Sequence, residues 1–209
     1  MKLLASDFDF TLYDDNYKNN LEYVKSLKNV EFIINTGRDH ISLFNDFKMK
    51  CNYYILGDGS YIMNKEKKII YIKPIKKETC NILKERIKQL NYTKHWFISF
   101  SGKVAKLEVK ISDKETAQKD LEYMIKDLDD VYGYVSRNWI NIMNKQAKKE
   151  IALEYLNNIN NYDEIYTVGD GPTDYGMIKK YNGYLISKEK KEGFNCINNF
   201  LELKDKIKE

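Results

Sequence analysis

The sequence predicts an α/β fold: a parallel-sheet core covered by helices, with an α+β cap domain inserted into it. Three observations carry this. Short apolar segments alternate with helically spaced stretches at both ends of the chain. Between them the rhythm changes to helix–strand–strand, twice over. Acidic or glycine-containing clusters follow several of the apolar segments, where strands would end.

Residues 3–8 form a short apolar segment ending in carboxylates and read as a strand. Residues 21–27 have helical spacing. Residues 31–35, with Phe32-Ile33-Ile34, read as a buried strand stopped by Thr36-Gly37. A helix over 40–47 and a strand over 53–56 follow. Residues 61–64 and 68–72 read as a hairpin around a charged turn. After Pro74 comes a helix over 77–90, with Ile82, Leu83, Ile87 and Leu90 as its apolar positions. Strands over 96–100 and 104–111 are separated by Ser101-Gly102. A helix over 114–128 presents Leu121, Met124, Ile125 and Leu128 on one face. Strands over 131–135 and 139–143 complete the insert. The α/β rhythm then returns with a helix over 151–156, a strand over 164–168, a helix over 175–181 and a last strand over 184–186. The expected division is a core of residues 1–73 and 144–209 around a cap of 74–143.

Composition limits the classes available. The chain has 209 residues, 43% of them hydrophobic and 13% aromatic, which suffices for a packed core rather than disorder. The longest apolar runs are four residues, at 53–56 and 69–72, whereas a membrane-spanning helix needs about 20. The start of the chain lacks the apolar region of a secretory signal. Cys51, Cys80 and Cys196 are scattered, without metal-ligand spacing, and read as reduced thiols of a cytoplasmic protein. Lys+Arg number 35 against 31 Asp+Glu, net +4. That balance is too even to favour nucleic acid or an anionic membrane as partner.

Four clusters carry candidate chemistry at predicted strand ends, where parallel sheets bind ligands. In Asp7-Phe8-Asp9-Phe10-Thr11-Leu12, the period of two points Asp7 and Asp9 to one side. Clustered carboxylates call for a cation or a shared proton; the bland reading is a solvated acidic turn. In Asn35-Thr36-Gly37-Arg38, a hydroxyl and backbone N–H groups could hold an anion, or Thr36 could simply cap a helix. Lys145, Lys148 and Lys149 precede a helix, and any of them could neutralise a phosphate or lie on the surface. In Gly169-Asp170-Gly171-Pro172-Thr173-Asp174, two carboxylates flank a tight turn, a pattern suited to a hard cation such as Mg²⁺; capping by Asp174 is the alternative.

Taken in order, D-x-D-x-T-L, T-G-R, a lysine and G-D-G-x-x-D resemble the signature of the haloacid dehalogenase superfamily, in its phosphatase branch. The resemblance covers essentially the whole chain. The insert of repeated helix–strand–strand units is similar to the cap of the Cof-like group. Leu56-Gly57-Asp58-Gly59-Ser60 stands where that group has an Asn-Gly-Ala turn. Lys149-Glu150-Ile151-Ala152-Leu153 resembles its Lys-Gly-x-Ala-Leu stretch, which selects Lys149, although Glu150 replaces the glycine. Thr173 replaces the usual asparagine of the fourth motif.

The resemblance implies a Rossmann-like core and a phosphatase acting on a small phosphorylated metabolite through an aspartyl-phosphate. Asp7 would be the nucleophile and Asp9 the general acid and base. Thr36, Gly37 and Lys149 would bind the phosphoryl group. Mg²⁺ would be held by Asp7, Asp170 and the backbone carbonyl of Asp9, with Asp174 close by. The cap would select the leaving group. Trp96, Trp139 and Tyr134 are candidates for a substrate wall, with at least two of them expected in the cap's own core. Of the cap's two arginines, Arg86 and Arg137, the latter, at the turn between two strands, is the better candidate for substrate contact, with a surface role as its bland reading. His40 and His95 have no metal-spaced partner. The alternatives are a sugar phosphomutase, disfavoured by only two cap arginines, and a non-catalytic binding protein, disfavoured by the retained aspartates and Lys149.

Overall fold

The computed structural model describes residues 1–207. The chain divides into two compact units, residues 1–70 with 148–209 and residues 71–147. The first unit opens with β1 (Lys2–Ser6), α1 (Tyr17–Ser26), β2 (Val30–Asn35), α2 (His40–Asp46), β3 (Tyr53–Leu56) and β4 (Tyr61–Asn64); β5 (Ile69–Ile72) crosses the boundary. The second contains α3 (Lys77–Gln89), β6 (His95–Phe100), β7 (Lys103–Lys110), α4 (Lys114–Ile125), β8 (Val131–Ser136) and β9 (Trp139–Asn144). The chain returns to the first through α5 (Lys149–Asn160), β10 (Glu164–Gly169), α6 (Tyr175–Lys180), β11 (Asn182–Ile186) and β12 (Asn195–Ile197).

The sheet of the first unit has the order β12-β11-β10-β1-β2-β3-β4-β5. Pairing is parallel from β12 to β3, and β3–β4 is antiparallel. Central strands of such a sheet are buried on both faces and therefore read as continuous apolar runs. Leu3, Leu4, Ile33, Ile34 and Val168 fit that reading, each with no exposed surface. The connection order reverses on the two sides of β1: β2 follows it on one flank and β10 returns on the other. This is the switch point where parallel sheets open a crevice at their carboxyl ends.

The sequence pattern ends with a strand over 184–186, but the sheet has one strand more: Tyr184, Leu185 and Ile186 of β11 pair with Asn195, Cys196 and Ile197 of β12. Three residues with a polar member are too short for a period-two pattern, so edge pairing alone defines this strand.

In the second unit a four-stranded antiparallel sheet, ordered β6-β7-β9-β8, carries α3 and α4 on one face. Leu107, Val109, Ile140 and Ile142 meet Leu83, Ile87 and Leu121 in its core. Ile82, expected among the apolar positions of α3, is 40% exposed. The aromatic expectation also fails: Trp96, Trp139 and Tyr134 are all outside this core. Register explains Trp96 and Tyr134: Trp96 lies opposite Glu108, Glu108 opposite Asn141, and Asn141 opposite Tyr134. These alternate with the inward residues and occupy the sheet's other face. Trp96 is 48% exposed and packs on Trp139, with ring centroids 5.4 Å apart. Arg86 is a structural residue, donating to the carbonyls of Tyr123, Met124 and Lys126 at the end of α4. Among the described residues no helix is long and apolar enough to cross a membrane.

Candidate active site

Asp7 leaves β1 beside β10, its backbone N–H donating to the Val168 carbonyl at 2.9 Å. Since Ser6 pairs with Val168, the chain emerges from both strands side by side. Asp170 follows β10 directly and Asp174 closes the 3₁₀ turn Pro172–Asp174. One Asp174 oxygen accepts from the N–H groups of Asp170 and Gly171, at 3.2 and 3.0 Å. Gly169 permits this fold-back, because a Cβ there would lie 2.3 Å from the Asp174 carboxyl carbon. The result is three carboxylates, Asp7, Asp170 and Asp174, each offering one oxygen within 4.8 Å of the other two. Thr11, fully buried, donates its hydroxyl to Asp170 at 3.3 Å.

Lys149 is the first residue of α5 and is 2% exposed. Its ammonium donates to Asp7 and to Asp174, each at 2.7 Å. Lys145 and Lys148, the other two candidates, are exposed. The start of α5 is held in place by the turn after β3. A Cβ on Gly59, at φ +89°, would come within 2.3 Å of the Lys148 carbonyl oxygen, so only glycine fits.

Electrostatics follow from this crowding. Burial pushes the Asp7 carboxyl well above its ordinary 3.8; Lys149 pulls it back, and Asp174 and Asp170 push it up again. Asp170 is raised by burial and by Asp174. Burial alone would lower Lys149, but Asp174, Asp7 and Asp58 outweigh it and hold the ammonium charged. One ammonium cannot neutralise the buried Asp7 and Asp174 together with the partly buried Asp170. An oxygen-only donor set this close, with charge in excess, fits a hard divalent cation such as Mg²⁺.

The remaining candidates border this cluster. Thr36, at the end of β2, is buried, and its Oγ1 accepts from the N–H of Arg38 at 3.2 Å. Gly37 faces Asp58: a Cβ on Gly37 would lie 3.0 Å from an Asp58 oxygen. Asp58 is 2% exposed, and its N–H donates to the Thr36 carbonyl at 3.0 Å. Asp9 stands apart from the three-carboxylate group. Its carboxylate is gripped by Arg38, whose Nε and one terminal nitrogen donate to its two oxygens, both at 2.7 Å. A side-chain role for Asp9 on a metal would have to break that grip; a role for its backbone carbonyl would not.

The sequence assigns no role to Arg38, Asp58 or Thr11, although each lies inside a motif named above. An arginine following Thr36-Gly37 and an aspartate between two glycines were the available signals.

The family description of haloacid dehalogenase-like hydrolases matches residues 4–132 and, in a second overlapping match, 99–192. The chain belongs to this family. The likeness to the Cof-like group of these hydrolases stands with it. An uncharacterized protein of Mycoplasma capricolum subsp. capricolum is 31% identical over 106 residues, 43% of this chain and 40% of that protein. Less than half of that relative is therefore spanned.

Solved haloacid dehalogenase structures share the fold. A haloacid dehalogenase-like hydrolase from Bacteroides thetaiotaomicron superposes with TM-score 0.78 at 16% identity, covering 94% of this chain and 93% of its own. A phosphatase of the superfamily from the same organism gives 0.75 at 14%, covering 98% and 94%. A subclass IIB sugar phosphatase gives 0.71 at 15%, covering 92% and 90%.

Proposed function

We propose that this haloacid dehalogenase-like hydrolase is a Mg²⁺-dependent phosphatase that hydrolyses a small phosphorylated metabolite through an aspartyl-phosphate. One observation carries the reading: Lys149 and the carboxylates of Asp7, Asp170 and Asp174 converge at the carboxyl ends of β1 and β10. Such a site binds a phosphoryl group by charge and position, which is how phosphoryl transfer is mainly catalysed.

In the first half-reaction an Asp7 oxygen attacks phosphorus in line and the bond to the leaving oxygen breaks. Asp9 gives that oxygen a proton. In the second, water attacks the phosphorus of phospho-Asp7, Asp9 takes its proton, and phosphate leaves as the Asp7 carboxylate re-forms. An ammonium has three N–H bonds; Lys149 directs two at Asp7 and Asp174, and the third serves a phosphoryl oxygen. The Thr36 hydroxyl accepts from Arg38 and keeps its own proton to donate, beside the Gly37 N–H. Mg²⁺, when held by Asp7, Asp170 and the Asp9 carbonyl with Asp174 nearby, supplies positive charge against the phosphoryl oxygens.

A phosphomutase must grip a second phosphate. Residues 71–147 hold only two arginines, Arg86 and Arg137, and Arg86 is bound to the end of α4, which supports hydrolysis. The cytoplasmic placement rests on three free thiols, Cys51, Cys80 and Cys196.

The test is p-nitrophenyl phosphate turnover with and without Mg²⁺. The expected result is metal-dependent hydrolysis abolished by Asp7→Asn. Full activity of that variant, or none in the wild type, would sink the proposal. A panel of phosphorylated metabolites compared by kcat/KM then identifies the substrate class.

A further inference from the structure

We propose that Arg38 is a positioning residue, which holds the Asp9 carboxylate for its proton-accepting part in the hydrolysis of phospho-Asp7. The inference rests on the roles given above to Asp7 and Asp9. Its own support is geometric.

Arg38 meets Asp9 with Nε and one terminal nitrogen, a side-on fork with both contacts at 2.7 Å. Such a fork fixes a carboxylate in plane and in rotation, which a single hydrogen bond or a lysine does not. The guanidinium is itself immobilised. Its other terminal nitrogen donates to Asp46 at 2.5 Å and to the Ser42 carbonyl at 3.5 Å, both on α2. Its flat face lies over Phe8, 4.8 Å from the ring centroid, with the Tyr13 ring 5.8 Å away. Phe8 is fully buried and stacks on Tyr13 with centroids 5.0 Å apart. Asp39 caps α2 by accepting from Ile41 and Ser42. The Arg38 backbone also belongs to the proposed phosphate loop: its N–H reaches Thr36 and its carbonyl accepts from Gly57. Asp9 is thus braced against that loop and against a capped helix.

The fork sets where the Asp9 oxygens lie when phospho-Asp7 is attacked, the stage at which Asp9 must meet the proton of the incoming water.

The experiment is stopped-flow turnover of 2,4-dinitrophenyl phosphate, whose leaving group departs without needing a proton. In Arg38→Met we expect a burst near one equivalent of dinitrophenolate, followed by a steady phase slowed about 100-fold against wild type. The burst rate should change by only a few-fold. Arg38→Lys, with charge but no fork, should lie between, and Asp46→Asn should slow the same phase less. Equal slowing of both phases in Arg38→Met, or of neither, overturns the inference. Burst amplitude counts competent sites, so if Arg38→Met fails to fold, Arg38→Lys and Asp46→Asn carry the same comparison. Asp9→Asn separates this from the underlying reading: if it slows neither phase, the role of Asp9 falls, whereas a slowed steady phase there with none in the arginine variants removes Arg38 alone.

Discussion

Lys149 is the only cation within 2.7 Å of both Asp7 and Asp174 among the described ion pairs. Removing one partner of a buried pair is far costlier than forming the pair is favourable, because the remaining charges stay desolvated. Lys149→Met should therefore lower folding stability by about 3–5 kcal/mol. It should also remove a transition-state donor worth about 2.7–4 kcal/mol, on the order of a hundredfold or more in kcat. Urea unfolding with saturating Mg²⁺ should recover part of the stability and little of the rate. Lys148→Met, at an exposed neighbour, is the control and should move stability by less than about 0.5 kcal/mol. Equal effects of the two substitutions would show that burial of Lys149 does not matter.

At the scale of elements, the site depends on how closely the turn after β3 approaches α5. Gly59→Ala meets the Lys148 carbonyl and also demands φ +89° of a residue with a Cβ. A loss of about 2–4 kcal/mol is expected, with activity falling as the start of α5 shifts Lys149. Gly102 offers the matched comparison. It has φ +78° but nothing within 4 Å of a built Cβ, so Gly102→Ala should cost only the backbone term, about 1 kcal/mol. If denaturant midpoints of the two variants coincide, conformation rather than contact governs Gly59. The element boundaries show where sequence periodicity suffices. Residues 53–56, 61–64 and 175–181 lie within about a residue of β3, β4 and α6, because turns punctuate them. α1 begins before residue 21, at Tyr17, and α5 extends past both ends of residues 151–156, to Lys149 and Asn160. Their outer turns are polar and gain their order from the sheet beneath, not from their own pattern.

For the molecule as a whole, the aspartate cluster ties stability to pH and to metal. Asp7 and Asp170 are both raised in the folded state, so the native protein binds their protons more tightly than the unfolded chain does. Their contribution is present below the unfolded carboxyl value and is lost as pH rises through the folded one. Chelator-treated protein should thus lose stability on going from about pH 4 to neutrality at this site. Mg²⁺ should flatten that slope, since a ligand of the ionised native cluster stabilises it by mass action. The same urea titrations on Asp170→Asn should show a weaker response to Mg²⁺. Identical slopes with and without metal would remove the cation from the cluster.

The sequence by itself determined the family, the alternation of strands and helices, and which aspartates stand just past strand ends. Those features are local: D-x-D, T-G-R and G-D-G-x-x-D are short, and each sits at a strand end that periodicity locates. Tertiary structure alone decided the rest. It buried Lys149 and exposed Lys145 and Lys148, three lysines that the sequence could rank only by resemblance. It turned Trp96 and Tyr134 to the open face of their sheet through cross-strand register. It also joined Arg38 to Asp9, 29 residues apart. An ion pair between two strand-end loops follows from the order in which β1 and β2 lie side by side. No local spacing records that order.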